Sequence, residues 1–448
     1  MNMSQTNDSN KNNNINTSQY VQWFRSCAPY IHSHRGRTFI ISLAGETIEH
    51  ENFAHIIHDI ALLNSLGIKL ILVHGARPQI ARQLEALNIA TEFKDGWRIT
   101  DKKTLPAIKQ AVGQVRLNIE SRLSMGLINT PMSGASLNVV SGNFVVAQPY
   151  GIHQGVDFAH TGKVRRINTQ AIQQQLELNN IVLLSPIGYS TTGEAFNCRA
   201  EDIATQTATA LGADKLIFFM DAEGVKDENK QLIHQLNVLQ AEKTLLNNAN
   251  NNITKLHISS ALQACKHGVK RSHLISHHHD GALLQELYTR DGEGTLITIE
   301  TYEDTRRASI NDVGGILELI QPLEQKGILA HRSREQLELE IESFSVIERD
   351  GMMIACAALF PYADDIAELA CVAVHEDYRK QGRAQMLLQH IEQQCSIKNI
   401  KQLFLLTTHT AHWFQEQGFI ETDLNTLPVE RQKLYNNQRN SKMFCKAL

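Results

Sequence analysis

Residues 38–73 read TFIISLAGETIEHENFAHIIHDIALLNSLGIKLILV, two apolar runs of strand length on either side of a helical pattern. In TFIISL (38–43) and IKLILV (68–73) the apolar residues are continuous rather than alternating, as in strands covered on both faces. Between them Phe53, Ile56, Ile57, Ile60 and Leu63 recur at intervals of three and four, which lays them along one stripe of a helix. Strand, helix and strand in this order form the unit from which parallel sheets are built. The unit returns downstream in IVLLSP (181–186), a helix from about Glu201 to Leu211, KLIFFM (215–220), a helix near Leu256 to His267, and HLIS (273–276). The pattern predicts an α/β fold whose mainly parallel sheet is covered by helices.

The pattern changes after Thr298. A stretch at 299–307, around TIETYEDTR, reads as a linker, and a second unit opens at about Ala308 with ASINDVGGILELIQPL, a helix behind an Asn/Asp cap position. Two apolar strands, SVIER (345–349) and MIACAALFP (353–361), are followed by ELACVAV (368–374) and the turn HEDYRKQGRA. A helix with Ala384, Leu387, Leu388, Ile391 and Cys395 on one face and the strand LFLLTT (403–408) complete a mixed α+β unit over 308–448. The first unit spans 20–298, and the Asn/Ser-rich leader 1–19 reads as disordered.

Length and composition agree with this division. A chain of 448 residues holds two or three domains of ordinary size, and 43 basic against 47 acidic residues give a formal charge of −4. A binder of nucleic acid draws affinity from a net basic face, so the balance argues for small-molecule chemistry. Seven scattered cysteines, none in a CxxC pair, suggest neither a disulfide framework nor a thiolate metal site, and a reducing cytoplasm suits them. No stretch has the length of a membrane span and the leader has no apolar signal core, so neither membrane nor export is expected.

After the strand ending at Val374 comes Arg379-Lys380-Gln381-Gly382-Arg383-Ala384, directly ahead of a helix. A pyrophosphate needs several backbone N–H groups converging at a helix N-terminus, and small residues let it approach the main chain. The loop fits R-x-x-G-x-G/A and resembles the coenzyme A loop of the GCN5-related N-acetyltransferases. AHWFQEQGF (411–419) resembles that family's later aromatic segment. The resemblance implies acetyl-CoA as co-substrate, with no other cofactor, contacted at Val372, Val374, Arg379, Gln381, Gly382, Arg383 and Ala384.

Acetylating an amine requires a base for the ammonium proton and an acid for the departing thiolate. Glu368, on the strand feeding the loop, is the candidate base. The tyrosine that serves many acetyltransferases as the acid falls here at Phe414, which has no proton to give. Thr407, at the end of the neighbouring strand, is the nearest hydroxyl and the candidate in its place.

In the first unit FIISLAGE (39–46), LVHGARPQI (72–80) and FNCRAEDIATQTATALGADKLIFFMDAEGV (196–225) resemble the amino-acid kinase fold, and the acetylglutamate kinases in particular. Three positions depart from the kinase pattern. Ser42 stands for the phosphate-binding Lys, Arg77 interrupts the glycine run, and Arg199 with Glu201 replace Asn and Asp. Phosphoryl transfer depends on positioned cations around the transferred group, so these losses predict an inactive kinase site.

A kinase-like domain joined to an acetyltransferase is the arrangement of the bacterial N-acetylglutamate synthase family, which the chain resembles over about residues 20–448. The resemblance implies acetyl transfer to the α-amino group of L-glutamate, the first step of arginine biosynthesis, under inhibition by L-arginine. Two substrate carboxylates call for guanidinium donors, and the resemblance singles out Arg332, Arg334 and Arg439, with Ser441. It places the arginine effector at Lys215, His273, Glu286, Gly292 and Gly294. It also gives YVQWFRSCAPYIHSHRG (20–36) as a helix that joins dimers into a homo-hexamer. The run His277-His278-His279 is read as a polar loop rather than a metal site, since adjacent side chains diverge and no further ligands stand at ligand spacing.

Overall fold

The computed structural model describes residues 20–126, 130, 132–247, 252–289, 292–299, 304–349, 352–362, 365–379, 382–436, 439 and 441–448. The leader 1–19 and Gln381 lie outside the described residues. The chain forms two compact units that divide at Glu300 and Thr301.

In the first unit eight strands form one sheet in the order Gln235–Asn237, Thr295–Thr298, Arg271–Ser276, Lys215–Met220, Thr38–Leu43, Lys69–His74, Ile181–Leu184 and Val139–Ser141. Neighbours run parallel except Thr295–Thr298 against Arg271–Ser276. The continuous apolar runs have the expected cause. Phe39, Ile41 and Leu43 enter one core with Leu70 and Leu72, while Ile40 enters a second with Ile71 and Val73 on the opposite face. The helices Phe53–Ser65 and Thr104–Leu123 close the first core. Ala200–Leu211 and Asn252–Lys266 close the second, which completes three layers.

A four-stranded sheet was not expected from the sequence. It runs Ala195–Asn197, Ile187–Tyr189, Val145–Pro149, Gly162–Ile167, in pieces of three to six residues. Gly162 and Gly188 allow its close packing, since a Cβ would stand 2.5 Å from Phe196 Cβ in the first case and 2.6 Å from Ala147 Cβ in the second.

The second unit is a seven-stranded sheet in the order Asp304–Arg307, Phe344–Arg349, Met352–Pro361, Ile366–Val374, Gln402–Thr407, Lys442–Ala447 and Ile420–Thr422. Only Ile366–Val374 and Gln402–Thr407 pair in parallel. The first strand falls within the stretch read as a linker: Asp304–Arg307 is antiparallel to Ser345–Glu348. The helix Arg383–Ile397 packs on one face through Leu387, Leu388, Ile391 and Cys395, and Val313–Gln325 covers the other through Ile316 and Ile320. The cap of the latter helix lies a turn earlier than its first α-helical residue. Ser309 and Asp312 form a capping box across the 3₁₀ turn Ile310–Asp312, and Arg306 grips both Asp312 oxygens at 2.7 and 2.9 Å.

Candidate acetyl-transfer site

The strand Ile366–Val374 creates the site by breaking its own regularity. Cys371 lies at φ 52°, in the left-handed region, and the register against Met352–Pro361 shifts between Cys356 and Ala358. The bulge exchanges the strand's faces. Ala367 and Leu369 enter the core beneath helix Arg383–Ile397, Cys371 and Ala373 enter the opposite one, and Val372 and Val374 pack against the first. On its other edge the parallel ladder to Gln402–Thr407 runs through Ile366, Ala367 and Glu368 and stops at Glu368 opposite Phe404. Glu368 therefore occupies the last rung before the two strands cease to pair.

Its carboxylate is nearly enclosed, at 9% side-chain exposure, and Arg431 holds it in a fork. Arg431 Nε donates to Oε2 at 2.7 Å and Nη2 to Oε1 at 3.0 Å. Burial pulls the Arg431 guanidinium down, but the Glu368 carboxylate outweighs it and leaves the group above its ordinary value. Tyr362 Oη donates to Glu368 Oε2 at 3.4 Å, and its phenol is raised by burial and by the same carboxylate.

The loop after Val374 has the expected local form. Gly382 caps the helix at φ 82° with no atom near its missing Cβ, so the glycine answers a backbone angle rather than a lack of space. The first helical bond runs from Met386 N to Gly382 O, leaving the earlier amides to partners outside the helix. Arg379 is exposed and donates to Val374 O at 3.3 Å. Arg383 turns inward instead, 8% exposed with its guanidinium 5.3 Å from the Tyr378 ring. Ala384 is half-buried. Thr407 Oγ1 accepts from Thr410 N at 3.2 Å and lies 3.1 Å from Thr410 Oγ1. Phe414 is buried against Phe419 and Trp413.

The guanidinium candidates separate. Arg332 stands 5.7 Å over Phe360, the ladder partner of Glu368, and 3.7 Å from Glu340. Arg439 Nη2 donates to Ile328 O at 2.9 Å and Gly327 O at 3.2 Å. Ser441 O accepts from Tyr435 Oη. Arg334 is 72% exposed and paired with Glu338 along its own helix, so the structure does not bring it to the group. Arg431 and Tyr362, which contact Glu368, were missed. They lie 63 and 6 residues from it, and no local pattern marks either.

In the first unit the three departures from the kinase pattern meet around one cavity of about 90 Å³, lined by Ser42, Gly45, Arg77, Trp97, Arg199 and Glu201. Arg77 lies 3.6 Å from Glu201, and the Arg199 guanidinium stacks 3.5 Å over Trp97. No lysine lines this cavity among the described residues.

The comparisons with known proteins come from both units. Residues 37–276 match the amino acid kinase family and residues 340–421 the acetyltransferase (GNAT) domain. The amino-acid acetyltransferase of Serratia proteamaculans is 52% identical over 96% of this chain and 99% of its own length, and that of Yersinia pseudotuberculosis 51% over the same shares. The chain belongs to the amino-acid acetyltransferases. This makes it an acyltransferase with an amino-acid kinase fold ahead of its acetyltransferase domain. The N-acetylglutamate synthase of Neisseria gonorrhoeae complexed with coenzyme A and L-arginine superposes with a TM-score of 0.87 at 36% identity, covering 96% of this chain and 99% of that one. The same enzyme complexed with coenzyme A and N-acetyl-glutamate gives 0.62 at 37% identity over the same shares.

The five residues singled out for an effector converge in this acetyltransferase. Lys215 Nζ lies 3.3 Å from His273 Nε2, and His273 Nδ1 lies 2.6 Å from Glu286 Oε1. Glu286 Oε2 accepts from Glu293 N at 2.7 Å and Gly294 N at 2.9 Å. A Cβ at Gly292 would come within 2.5 Å of Glu286 Oε2, and one at Gly294 within 2.1 Å of Leu274 O. Burial, aided by Lys215, pulls His273 down to about 4; at Glu286 burial acts to raise the carboxyl, but the hydrogen bond and charge of His273 together with the Gly294 and Glu293 amides outweigh it and lower the group. His34, from the N-terminal helix, packs against Tyr288 beside the group, and among the described residues neither His34 Nδ1 nor Tyr288 Oη has a hydrogen-bond partner.

The sequence reading took the histidine run for a polar loop. The His277 and His278 rings lie 4.5 Å apart, and His50, at the end of helix Gly45–Glu49, joins them. The reading lacked a third ligand because its partner lies far away in the chain.

Proposed function

We propose that the chain is an N-acetylglutamate synthase, transferring acetyl from acetyl-CoA to the α-amino group of L-glutamate in the first step of arginine biosynthesis. The observation that carries this reading is the buried Glu368 carboxylate, forked by Arg431, on the last paired rung between two strands and on the strand that leads into the loop ending in Gly382. The two solved synthase complexes support it.

In this reading the pyrophosphate of acetyl-CoA sits on the amides at the start of helix Arg383–Ile397, beside Arg379, Gln381, Gly382 and Ala384. The amide arm extends along the edge of Val372 and Val374 beyond the last rung, in the manner of an added strand. Glu368 takes a proton from the substrate ammonium, and the freed amine attacks the thioester carbonyl. The C–S bond then breaks, and Thr407 relays the remaining proton of the attacking nitrogen to the departing thiolate, giving its own hydroxyl proton as it accepts that one, so that amide and coenzyme A thiol leave neutral. A carboxylate held by two guanidinium donors keeps further lone pairs, so Arg431 aims Glu368 without exhausting it. Arg332, Arg439 and Ser441 receive the substrate carboxylates.

Residues from strand Asp304–Arg307 to 448 form the catalytic domain, and 20–298 the regulatory domain. L-arginine occupies the Lys215, His273, Glu286, Gly292 and Gly294 group, and inhibition is a population shift toward an arrangement with a poorer active site. The helix at 20–26 leaves Tyr20, Trp23 and Phe24 at 70, 49 and 65% exposure, which suits contacts in a homo-hexamer. None of the described helices is long and apolar enough to cross a membrane, and we place the enzyme in the cytoplasm.

The test is thiol release from acetyl-CoA with L-glutamate under titration with L-arginine. Glutamate-dependent release that falls with arginine supports catalyst and sensor together. Release indifferent to arginine removes the sensor. No release with glutamate, from protein that binds acetyl-CoA, transfers the reading to another amine acceptor.

A further inference from the structure

Three imidazoles meet at the C-terminal end of the large sheet. His50 follows helix Gly45–Glu49, and His277 and His278 follow strand Arg271–Ser276. One ring nitrogen from each can be chosen so that all three lie within 4.8 Å of one another. The nearest pair, His50 Nε2 and His278 Nδ1, is 3.1 Å apart. Two ligands on a tetrahedral zinc ion with Zn–N distances of about 2.0–2.1 Å stand about 3.3 Å apart, so this pair is already at ligand spacing. The ring centroids, separated by 4.5, 4.7 and 4.9 Å, surround a common point rather than stacking in a row.

The groups behind the rings fit the same arrangement. Asp221 Oδ1 accepts from His278 Nε2 at 2.8 Å, which leaves the His278 Nδ1 lone pair facing inward. Thr47 Oγ1 lies 3.1 Å from His277 Nδ1, which leaves Nε2 of that ring for an ion. A carboxylate or hydroxyl on the far nitrogen is the usual support of a metal-binding imidazole. Asn52 Nδ2 fastens the turn by donating to His277 O at 3.2 Å and His278 O at 2.7 Å. His277 is 2% exposed, so its ring is held in place by the surrounding protein.

We propose that His50, His277 and His278 form a binding site for one divalent transition-metal ion of the zinc class, with Asp221 and Thr47 as positioning residues. The open fourth position takes water. His50 bears the cost of loading. Its Nδ1 accepts from Asn52 N at 3.2 Å, so the ring proton sits on Nε2 and points at His278. An entering ion displaces that proton to the other nitrogen and breaks the Asn52 contact. Three imidazoles without thiolate favour zinc, nickel or cobalt over magnesium or calcium.

The test uses the full chain, stripped with chelator and dialysed, then titrated with Zn²⁺ by calorimetry and with Co²⁺ by its visible tetrahedral bands. One ion per chain is expected, with binding abolished in His50→Gln and His278→Gln and weakened about 10–100-fold in Asp221→Asn. The His278 side chain is 47% exposed, so its substitution leaves the core intact, and the far-UV spectrum checks this. Zn²⁺ should also raise the melting temperature of the parent chain and of neither His variant. No saturable uptake overturns the proposal, as does uptake that survives unchanged in both His variants, which would assign the ion to other histidines among the chain's 20.

Discussion

Glu368 and Arg431 form the most consequential contact of the acetyltransferase unit, and their exchange of two hydrogen bonds sets what substitution there does. Glu368→Gln keeps the shape and removes the base, so kcat should fall about 10²–10⁴-fold with acetyl-CoA affinity retained. Single-turnover kinetics beside a direct coenzyme A titration would separate the two, and a kcat within tenfold of the parent would remove Glu368 from the reaction. Arg431→Ala acts otherwise, because it strands a nearly enclosed carboxylate. Breaking one side of a buried pair costs about 3–5 kcal/mol, readable in a denaturant melt, whereas Arg431→Lys keeps the charge, loses the fork and should fall between. Glu368 was legible in the sequence because it stands on the strand that feeds a recognisable loop. Arg431 was not, since a fork closing over 63 residues leaves no local trace.

Elements divide in the same way between what a pattern reveals and what only packing does. The strands Thr38–Leu43 and Lys215–Met220 were read from continuous apolar runs, which both faces of the sheet explain. The strands Ile187–Tyr189 and Ala195–Asn197 escaped because three residues are too few for a period of two to declare itself. The strand Asp304–Arg307 escaped for another reason, its charged composition, which Asp312 and Glu348 satisfy from neighbouring elements. That network makes a prediction for the helix it caps. Asp312→Ala removes the capping box of Val313–Gln325 and the Arg306 fork, and should cost about 0.5–2 kcal/mol by thermal or urea unfolding. Its carboxyl is held well below the usual range, first by its hydrogen bond from Arg306, so this stabilisation is present above pH 4 and is lost as the medium becomes more acidic. In the first unit, Gly294→Ala drives a Cβ onto Leu274 O and pulls two amide donors from Glu286. Inhibition by arginine should disappear while glutamate turnover persists, and an unchanged arginine titration would count against the effector assignment.

Across the whole molecule, buried imidazoles set the response to acid. His34, His74, His257 and His273 are all pulled down by burial, to about 3 for His34 and about 4 for His74 and His273. The unfolded chain protonates them near pH 6.5 and the folded chain does not, so their contribution is intact above that pH and erodes as pH falls toward 4. Asp59 and Asp202, raised by burial to about 7 and 6, act in the opposite direction and stabilise the folded form as pH falls. His277, lowered to about 4, joins them, and these imidazoles outnumber the two carboxyls, so melting temperature should decline from pH 6.5 to 4.5. A flat or rising profile would show that the carboxyls dominate. The two units also differ in how they can be made on a ribosome. Lys442–Ala447 is threaded between Gln402–Thr407 and Ile420–Thr422, so the acetyltransferase sheet has a gap until that strand emerges. The kinase-like unit lies wholly in the earlier part and can fold during translation. The kinase-like half thus exists before the acetyltransferase half, and a stop codon between Leu427 and Lys442 should yield a folded kinase-like unit attached to an open-edged, aggregation-prone remnant rather than a weakened enzyme.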